Sequence, residues 1–512
     1  MDETQYRYLC RVCDEILCSE DANIERIALP WLHVVREHPA FLREYEYLFH
    51  KENLVIKIGS VVCRLAKYIL GWFRRGGTYY LNRRTLAVDI NDEPERIDVL
   101  FVSHLINPKH LESKDDFYYG NCPAELLKFG FSPAIALLNH LSPGEQSRVV
   151  ERWSGSDISR FVVPRWLGLG EEIVIWFRLL RESFRLWGQA RKQISDFKKR
   201  VLVRASVECF AGATFDCLRV EHCITTLVKR YQPRVVIVTY EGHAWERVAF
   251  AAARRSKSDI KCVGYHHSVL FRLQHGVRRN LNSLYNPDII LTSGTKTKNE
   301  LEREESISAE SIAVLGSCQY YREGSQHKGG ASCGIIGGQE KEGEFRCLVL
   351  PEGIKDECNI LFEFSVECAL AMPDIEFIWR LHPVISFESL KRDNPKLQKL
   401  PDNITLSNRT FQHDIALCQM ACYRGSSAIV QAALQGLKPF YFQLRGEMTI
   451  DPLYGLGRER VIVDSVSDLR KQVGLFRSQS DAELKKDLEK VRGYCAKLFE
   501  RLRCEVLAKV SH

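Results

Sequence analysis

The chain has 512 residues, of which 45% are hydrophobic and 27% charged, which excludes a disordered or fibrous protein and leaves room for two or three folded units. Its net charge of +7 is unaccompanied by any nucleic-acid recognition motif, so no nucleic-acid partner is predicted. No run of 18 apolar residues occurs, and the N-terminus lacks the basic start and apolar stretch of a signal peptide, so we expect a cytoplasmic protein.

Residues 1–95 predict a helical prefix, in which WLHVVREHPAFLREYEYLF is the clearest helical pattern. Cys10 and Cys13 form a C-x-x-C pair with Cys18 nearby, which raises the question of zinc. No second C-x-x-C or H-x-x-x-H supplies the remaining ligands, so the pattern favours ordinary helix-face cysteines. The eighteen cysteines of the chain are scattered, as expected of buried thiols in a reducing compartment.

Residues 96–322 predict a first Rossmann-like lobe, because short apolar runs alternate with helical patterns. The predicted strands lie at 97–103, 133–140, 234–239, 260–265, 288–292 and 312–315. A helical insertion with two long helices is expected at about 151–230. Alternation of this kind implies parallel strands joined by right-handed crossovers.

One helix of that insertion is basic and carries tryptophan. Between Glu171 and Arg200 the cations are Arg178, Arg181, Arg185, Arg191, Lys192, Lys198, Lys199 and Arg200, and Trp176 and Trp187 lie among the apolar residues. Such a helix suits peripheral contact with an anionic membrane surface at the inner face of the cytoplasmic membrane. The alternative is a helix that packs on its own lobe and exposes a solvated basic face.

A second lobe is predicted at 346–475, after a linker or loop at 323–345 that holds seven glycines. Its expected strands lie at 345–350, 376–381, 404–406, 415–422, 439–442 and 461–463, and its clearest helices at 360–371 and 428–435. Residues 476–512 predict C-terminal helices rich in Leu and Lys. The predicted class is therefore α/β, with two doubly wound lobes between helical ends.

In the first lobe, carboxylates and imidazoles follow predicted strands, where ligands of open α/β sheets bind. Glu241 comes just after one strand and Glu246 lies further along the next helix, so either carboxylate can serve as a general base or a nucleophile. His266 ends the following strand. Asp116, with Asp115 and Tyr118, lies in the loop after the first strand and is a candidate for acceptor contact. For each carboxylate a helix cap or a surface salt bridge is the alternative.

In the second lobe, two turns after strands predict phosphate binding. Arg380 and His382 end one strand, and Pro383 restricts His382 to an extended conformation. The second turn consists of Arg424, Gly425, Ser426 and Ser427, and it opens a helix whose first amides suit an anion. A structural histidine and an ordinary helix cap are the alternatives.

Other reaction types lack their motifs. The chain has no G-x-x-x-x-G-K-[ST] phosphate loop, no G-x-S-x-G nucleophile elbow, no H-E-x-x-H zinc motif and no G-x-G-x-x-G after its first strand. Neither a metal ion nor a cofactor is predicted.

The order of these motifs resembles the GT-B glycosyltransferases, and within them the bacterial surface carbohydrate proteins of O-antigen and capsule biosynthesis. It is more distantly similar to capsule Kdo transferases and polysialyltransferases. The resemblance covers about residues 20–470. It rests on "strand, Tyr-Glu-Gly", Gly-Tyr-His-His, PDIILTSGTKTKNEL, VLGS, Arg-Leu-His-Pro, Tyr-Arg-Gly-Ser-Ser and GLKPFYF, in that order.

The resemblance implies a catalytic carboxylate at Glu241 and phosphate binding at His382 and at Ser426 with Ser427. It implies a CMP-activated ulosonic acid, such as Kdo or a sialic-acid-like sugar, as donor, and a surface polysaccharide or lipid-linked glycan as acceptor. The chain departs from the pattern at Tyr240, where relatives commonly have a second acidic residue. A CDP-polyol phosphotransferase, a UDP-sugar epimerase of the same fold, and a non-catalytic polysaccharide assembly partner are the alternatives.

Overall fold

A computed structural model describes residues 1–50, 63–74, 76, 96–111, 113–141, 158–320 and 345–511. These residues form two fully parallel β-sheets flanked by helices, with helices at both ends of the chain. This confirms the predicted class of two Rossmann-like, doubly wound lobes, the layout expected of a GT-B protein. The glycine-rich segment predicted at 323–345 lies outside the described residues except for its last position.

The first sheet has seven strands in the order β3-β2-β1-β4-β5-β6-β7. The strands are β1 Val99–Leu105, β2 Pro133–Asn139, β3 Ser159–Val163, β4 Val235–Thr239, β5 Lys261–His266, β6 Ile289–Thr292 and β7 Ile312–Val314. The second sheet has six strands in the order β10-β9-β8-β11-β12-β13. They are β8 Phe345–Leu350, β9 Ile375–Trp379, β10 Ile404–Leu406, β11 Met420–Tyr423, β12 Lys438–Phe442 and β13 Val461–Val463.

Helices cover both faces of each sheet, and β4 and β11 are buried at every position. That is why their sequences are continuously apolar or aromatic rather than alternating. The α-helices span Glu3–Leu17, Ile24–Ile27, Pro30–His33, Pro39–Glu46, 63–74, Cys122–Lys128, Leu169–Lys192, Asp196–Glu208, Gly212–Tyr231, Ala244–Ser256, Thr295–Leu301, Lys355–Ala371, Phe387–Asp393, Phe411–Leu417, Ala428–Leu434, Val466–Ser478, Asp481–Cys495 and Cys504–Ser511.

The helical insertion predicted at 151–230 differs from the structure in two ways. Ser159–Val163 is the edge strand β3, which pairs with β2 over five residues. The helical part of the described residues consists of three helices. The first helix ends at Gln193, and Ser195 caps the start of the second. The turn at 209–211 separates the second helix from the third. These helices pack with the prefix in one hydrophobic cluster, so the prefix and the insertion share a core.

Two other predicted elements differ in their bounds. The helical pattern at 31–49 forms two short helices, because Val34 adopts φ 40° and residues 34–38 separate them. Pro39 disfavours helical geometry at His38, and the Val35 carbonyl accepts a hydrogen bond from Gly276 N instead. The strand predicted at 415–422 begins only at Met420, since the Thr410 side chain caps a helix over Phe411–Leu417.

The C-terminal helices contact both lobes. Asp481–Cys495 packs against Ala428–Leu434 of the second lobe, and Cys504–Ser511 packs against Cys122–Lys128 of the first. The Sγ atoms of Cys122 and Cys504 lie 2.6 Å apart at this last contact. Among the helices of the described ranges, none has both the length and the apolar character to cross a bilayer.

Candidate functional site

The carboxyl ends of the two sheets meet at the contact between the lobes. Val269, three residues beyond β5, belongs to the same hydrophobic cluster as Leu350 and Tyr423, the last residues of β8 and β11. The loops that follow these strands therefore lie where the two lobes meet, and the space between them is the candidate cleft.

Glu241 is the carboxylate at the first-lobe side of this cleft. It follows β4, and its side chain is 29% exposed. Ser268 Oγ donates a hydrogen bond to it, and His243 Nε2 lies 3.5 Å from its Oε2. Burial opposes the charge of Glu241, but its interactions with His243, His267 and His266 together outweigh burial and hold the pKa of Glu241 well below its usual range. The carboxylate is therefore ionised at neutral pH, as a general base must be.

Gly242 gives the turn after Glu241 its shape. Its φ of 87° favours glycine, and a Cβ there would collide with the backbone of Gly276. The turn that positions the Glu241 carboxylate therefore requires glycine at position 242, which explains why the two residues occur together.

Glu246 occupies a different position from Glu241. It is buried and accepts hydrogen bonds from the backbone N–H groups of Glu241, Gly242 and His243 at 2.7–3.1 Å. Burial raises the pKa of Glu246 to about 7. All its contacts hold the turn that carries Glu241, so the structure gives it the helix-cap role that was the alternative to catalysis.

Four further histidines lie at neighbouring strand ends, and two of them, His104 and His140, were not predicted from the sequence. His266 and His267 end β5, His104 lies near the end of β1, and His140 follows β2. His104 Nδ1 lies 2.9 Å from His140 Nε2, and Thr239 Oγ1 lies 3.2 Å from His104 Nε2. The signal that identifies His104 and His140 is their place at strand ends, the same signal that identified Glu241.

These imidazoles are neutral at pH 7. Burial lowers the pKa of His266 to about 4 and that of His104 to about 3, and it also lowers the pKa of His267. The Nδ1 atoms of His266 and His267 have no hydrogen-bond partner among the described residues. Both Nδ1 atoms are also shielded from solvent.

Asp116 has a structural environment. Its Oδ1 accepts hydrogen bonds from Ser103 Oγ and from the backbone N–H groups of Tyr118 and Tyr119, at 2.8–3.0 Å. These bonds hold the loop that places Tyr118 edge-on to His267, with ring centroids 4.6 Å apart. Asp116 therefore orients the loop, and Tyr118 is the side chain of this loop that reaches the histidine cluster.

On the second-lobe side, His382 is partly buried beside Gly353, the glycine that follows Glu352. A Cβ at Gly353 would lie 2.9 Å from His382 Cε1, so the absence of a side chain there makes room for the imidazole. Burial lowers the pKa of His382, while Glu352 acts in the opposite direction. Arg380 donates to Asp414 Oδ2 and to the Arg409 carbonyl at 2.8 Å, so it holds its own lobe together.

The turn at 424–427 keeps its predicted position but not every predicted contact. Arg424 is fully buried, and its guanidinium is bound by Glu357 and Glu447, so the phosphate-binding role predicted for Arg424 is replaced by a structural ion pair. Ser427 is the N-cap of a seven-residue helix but makes no side-chain capping bond. Gly425 has φ 68°, and a Cβ there would collide with the Glu352 carboxylate.

Glu352 also joins the second lobe to the prefix. His38 Nε2 lies 2.8 Å from Glu352 Oε1, and Arg36 lies 3.7 Å from Oε2. His38, Glu352 and Glu357 are the one group of described side chains whose ligand atoms, all within 4.8 Å, could hold a metal ion. Arg36 lies beside Glu352 and Arg424 is bound to Glu357, which favours a salt-bridge network at this point. No sequence spacing joins residues so far apart, so the network was not predicted.

Cys10 and Cys13 lie buried in the prefix core with Cys18 exposed nearby. None of the three is part of the metal-binding group found among the described residues. Burial raises the pKa of Cys10 to about 12, which keeps it a thiol.

Comparison with known proteins gives similarity of overall shape only. No protein-family model and no curated protein matches the sequence. Among solved structures, the chain is similar to the glycosyltransferase of kitacinnamycin, with 13% identity, a TM-score of 0.45 and coverage of 82% of this chain and 100% of that one. A glycosyltransferase from Rickettsia africae shares 11% identity and a TM-score of 0.46, over 82% and 98% of the two chains. The UDP-GlcNAc 2-epimerase of Neisseria meningitidis bound to UDP-GlcNAc has 13% sequence identity and a TM-score of 0.42, and the match covers 81% of this chain and 97% of that one.

Proposed function

We propose that the protein is a nucleotide-sugar-dependent glycosyltransferase, with Glu241 as the base. The observation that carries the proposal is an ionised carboxylate at the carboxyl edge of one doubly wound sheet, beside the carboxyl edge of a second. Glu241 removes the proton of an acceptor hydroxyl, the hydroxyl oxygen bonds to the anomeric carbon of the donor, and the bond to the nucleotide phosphate breaks. The leaving phosphate accepts hydrogen bonds from His382 and from the hydroxyls of Ser426 and Ser427.

The charges near the second-lobe turns favour a donor with a single phosphate. Arg380 and Arg424 both have carboxylate partners, and Glu352 lies against Gly425. Among the described residues, the predicted phosphate-binding turns thus offer neutral donors rather than unpaired guanidinium groups. A phosphodiester with one negative charge needs less compensation than a diphosphate. This supports a CMP-linked sugar, and with the motif order it supports an ulosonic acid of the Kdo or sialic-acid type.

The first test is Glu241→Gln, with Glu246→Gln for comparison. We expect Glu241→Gln to lower the transfer rate by about 10²–10⁴-fold, the contribution typical of a general base, and to leave the melting temperature unchanged. Glu246→Gln should instead lower the melting temperature, because it disturbs three backbone hydrogen bonds. Full activity in a folded Glu241→Gln protein would remove Glu241 from the mechanism.

The donor is tested by thermal stabilisation with CMP, CDP, UDP and GDP, since a ligand that binds only the folded state raises its melting temperature. Stabilisation by CMP alone supports the proposed donor. Stabilisation by CDP with transfer of a polyol phosphate identifies a phosphotransferase, and turnover of a UDP-sugar without an acceptor identifies an epimerase. Binding of none of them identifies a non-catalytic partner in a polysaccharide assembly.

A further inference from the structure

The helix Leu169–Lys192 carries apolar residues on its outward side as well as on its buried side, where Ile175, Leu179 and Leu186 pack in the core. Its buried side includes two carboxylates, Glu172 and Glu182, which are bound by the buried side chains of Arg219 and Arg26. Its outward side carries large apolar residues: Ile173, Val174, Phe177, Phe184 and Trp187. An amphipathic surface helix ordinarily confines its large apolar residues to the buried side. The lobe thus holds this helix through buried apolar residues and ion pairs, and a second apolar side faces outward.

The outward apolar residues form one stripe. Phe177 and Phe184 are 60% and 62% exposed, and together with Leu180, Arg181 and Arg185 they line an open surface groove. The positions 173, 177, 184 and 187 follow the helical repeat, so their side chains lie along one face. A contiguous apolar surface of this kind marks an interaction site, whereas singly scattered apolar residues do not.

A second exposed apolar pair lies close to the start of this helix. Leu70 and Phe73 belong to the helical residues 63–74 and are 68% and 64% exposed. Trp72 of the same segment packs against Trp166, three residues before the helix begins, with ring centroids 5.8 Å apart. The prefix therefore adds exposed apolar residues near the N-terminal end of the stripe.

The exposed cations on this surface indicate that its partner is anionic. Arg181, Arg191 and Lys192 are exposed, and none of them has a carboxylate partner among the described residues. The guanidinium of Arg191 lies 3.7 Å from the ring centre of Trp187, so charge and aromatic surface are presented together. A second copy of the chain docked through a two-fold axis would bring the same cations face to face. An anionic bilayer complements them and also receives the aromatic rings at its interface.

We propose that the outward face of the helix Leu169–Lys192 is a docking surface for an anionic lipid bilayer. The phenylalanine and tryptophan rings enter the interfacial region, while Arg181, Arg191 and Lys192 contact lipid phosphates. The contact lies on the first lobe, which also carries Glu241, so the acceptor side of the protein is brought to the membrane.

Co-sedimentation of the full chain with vesicles tests this surface. Vesicles of phosphatidylcholine with phosphatidylglycerol should bind the protein, pure phosphatidylcholine vesicles should bind it weakly, and added salt should release it. The double variant Phe177→Glu/Phe184→Glu should bind the vesicles at least about tenfold more weakly, because it lacks the two aromatic rings that enter the bilayer interface. The matched control is Leu370→Glu/Leu475→Glu, which makes the same charge change at exposed apolar positions of the second lobe and should bind like the wild type.

Several results would overturn the proposal. Equal binding of the two double variants, or equal binding to both kinds of vesicle, would exclude an aromatic surface selective for anionic lipid. A third result would show that this face joins two copies of the chain. In that case the wild type is a dimer, Phe177→Glu/Phe184→Glu is a monomer, and neither protein binds vesicles. Because the replaced side chains are exposed, unchanged melting temperatures confirm that the variants are folded.

Discussion

His243 sets the charge state of Glu241, and its effect can be measured in a pH profile. Burial works against a charged imidazole, but the interactions with Glu241 and Glu246 together outweigh it and raise the pKa of His243. The protonated ring in turn favours the ionised form of Glu241. His243→Asn removes this cation and keeps a residue that is favoured at the N-cap position His243 occupies.

We expect His243→Asn to shift the acidic limb of the kcat/KM profile to higher pH. The sign follows because the pKa of Glu241 rises when the opposite charge is lost, so the base is protonated at a higher pH than in the wild type. His222→Asn is the matched control, since His222 is exposed on Gly212–Tyr231 away from the cluster. An unshifted limb in His243→Asn would show that a group other than Glu241 controls it.

At the scale of elements, buried ion pairs contribute to the stability of the helix Leu169–Lys192, together with its buried apolar residues. Arg219 donates two hydrogen bonds to Glu172 at 2.7 and 2.8 Å, and both side chains are buried. Glu172→Ala leaves a buried guanidinium without this partner and should lower the free energy of unfolding by about 3–5 kcal/mol. A urea titration followed by circular dichroism measures the loss.

The exposed pair Glu125–Lys128 provides the comparison for that variant. Glu125→Ala should change stability by less than about 1 kcal/mol, because solvent screens an exposed pair. If Glu172→Ala were as mild as Glu125→Ala, the helix would be held by its apolar contacts and the ion pair would contribute little.

How much could be read from the sequence differs between elements. The central strands were predictable, because residues such as Val235–Thr239 are buried on both faces and therefore continuously apolar. The break at Val34 was not, because hydrogen bonds to Gly276 and Leu273, distant in sequence, override a good helical pattern. The edge strand Ser159–Val163 was missed for a related reason, since its pattern lies beside long helices and is only partly buried.

In the candidate site, too, the positions of some residues could be predicted from the sequence, whereas the roles of others could not. The positions of Glu241, His266 and His382 at or after strand ends could be predicted, because the strands are visible in the sequence, and their roles stay predictions. The roles of Arg424 and Glu246 could not be predicted, since they depend on partners that only the fold brings close. A strand-end position predicts where a side chain lies, but its partners decide whether it is free to act.

At the scale of the whole molecule, one chain of contacts links the second-lobe turn to the prefix. Gly425 lies against the Glu352 carboxylate, and Glu352 binds His38. His38 is the last residue of the segment that follows Val34. In the same segment, the Val35 carbonyl accepts a hydrogen bond from Gly276 N in a first-lobe loop. The shape of the 425 turn is therefore coupled to the contact between the lobes.

Gly425→Ala tests this coupling against a matched variant, Gly446→Ala. Both glycines have positive φ, 68° and 79°, so each alanine costs about 1–2 kcal/mol of backbone strain. A Cβ at Gly446 meets no atom within 4 Å, whereas one at Gly425 collides with Glu352. Gly425→Ala should therefore lower the melting temperature more than Gly446→Ala, and it alone should reduce the stabilisation by CMP. Equal effects of the two variants would mean that Glu352 moves freely, and that the contact between the lobes does not depend on the 425 turn.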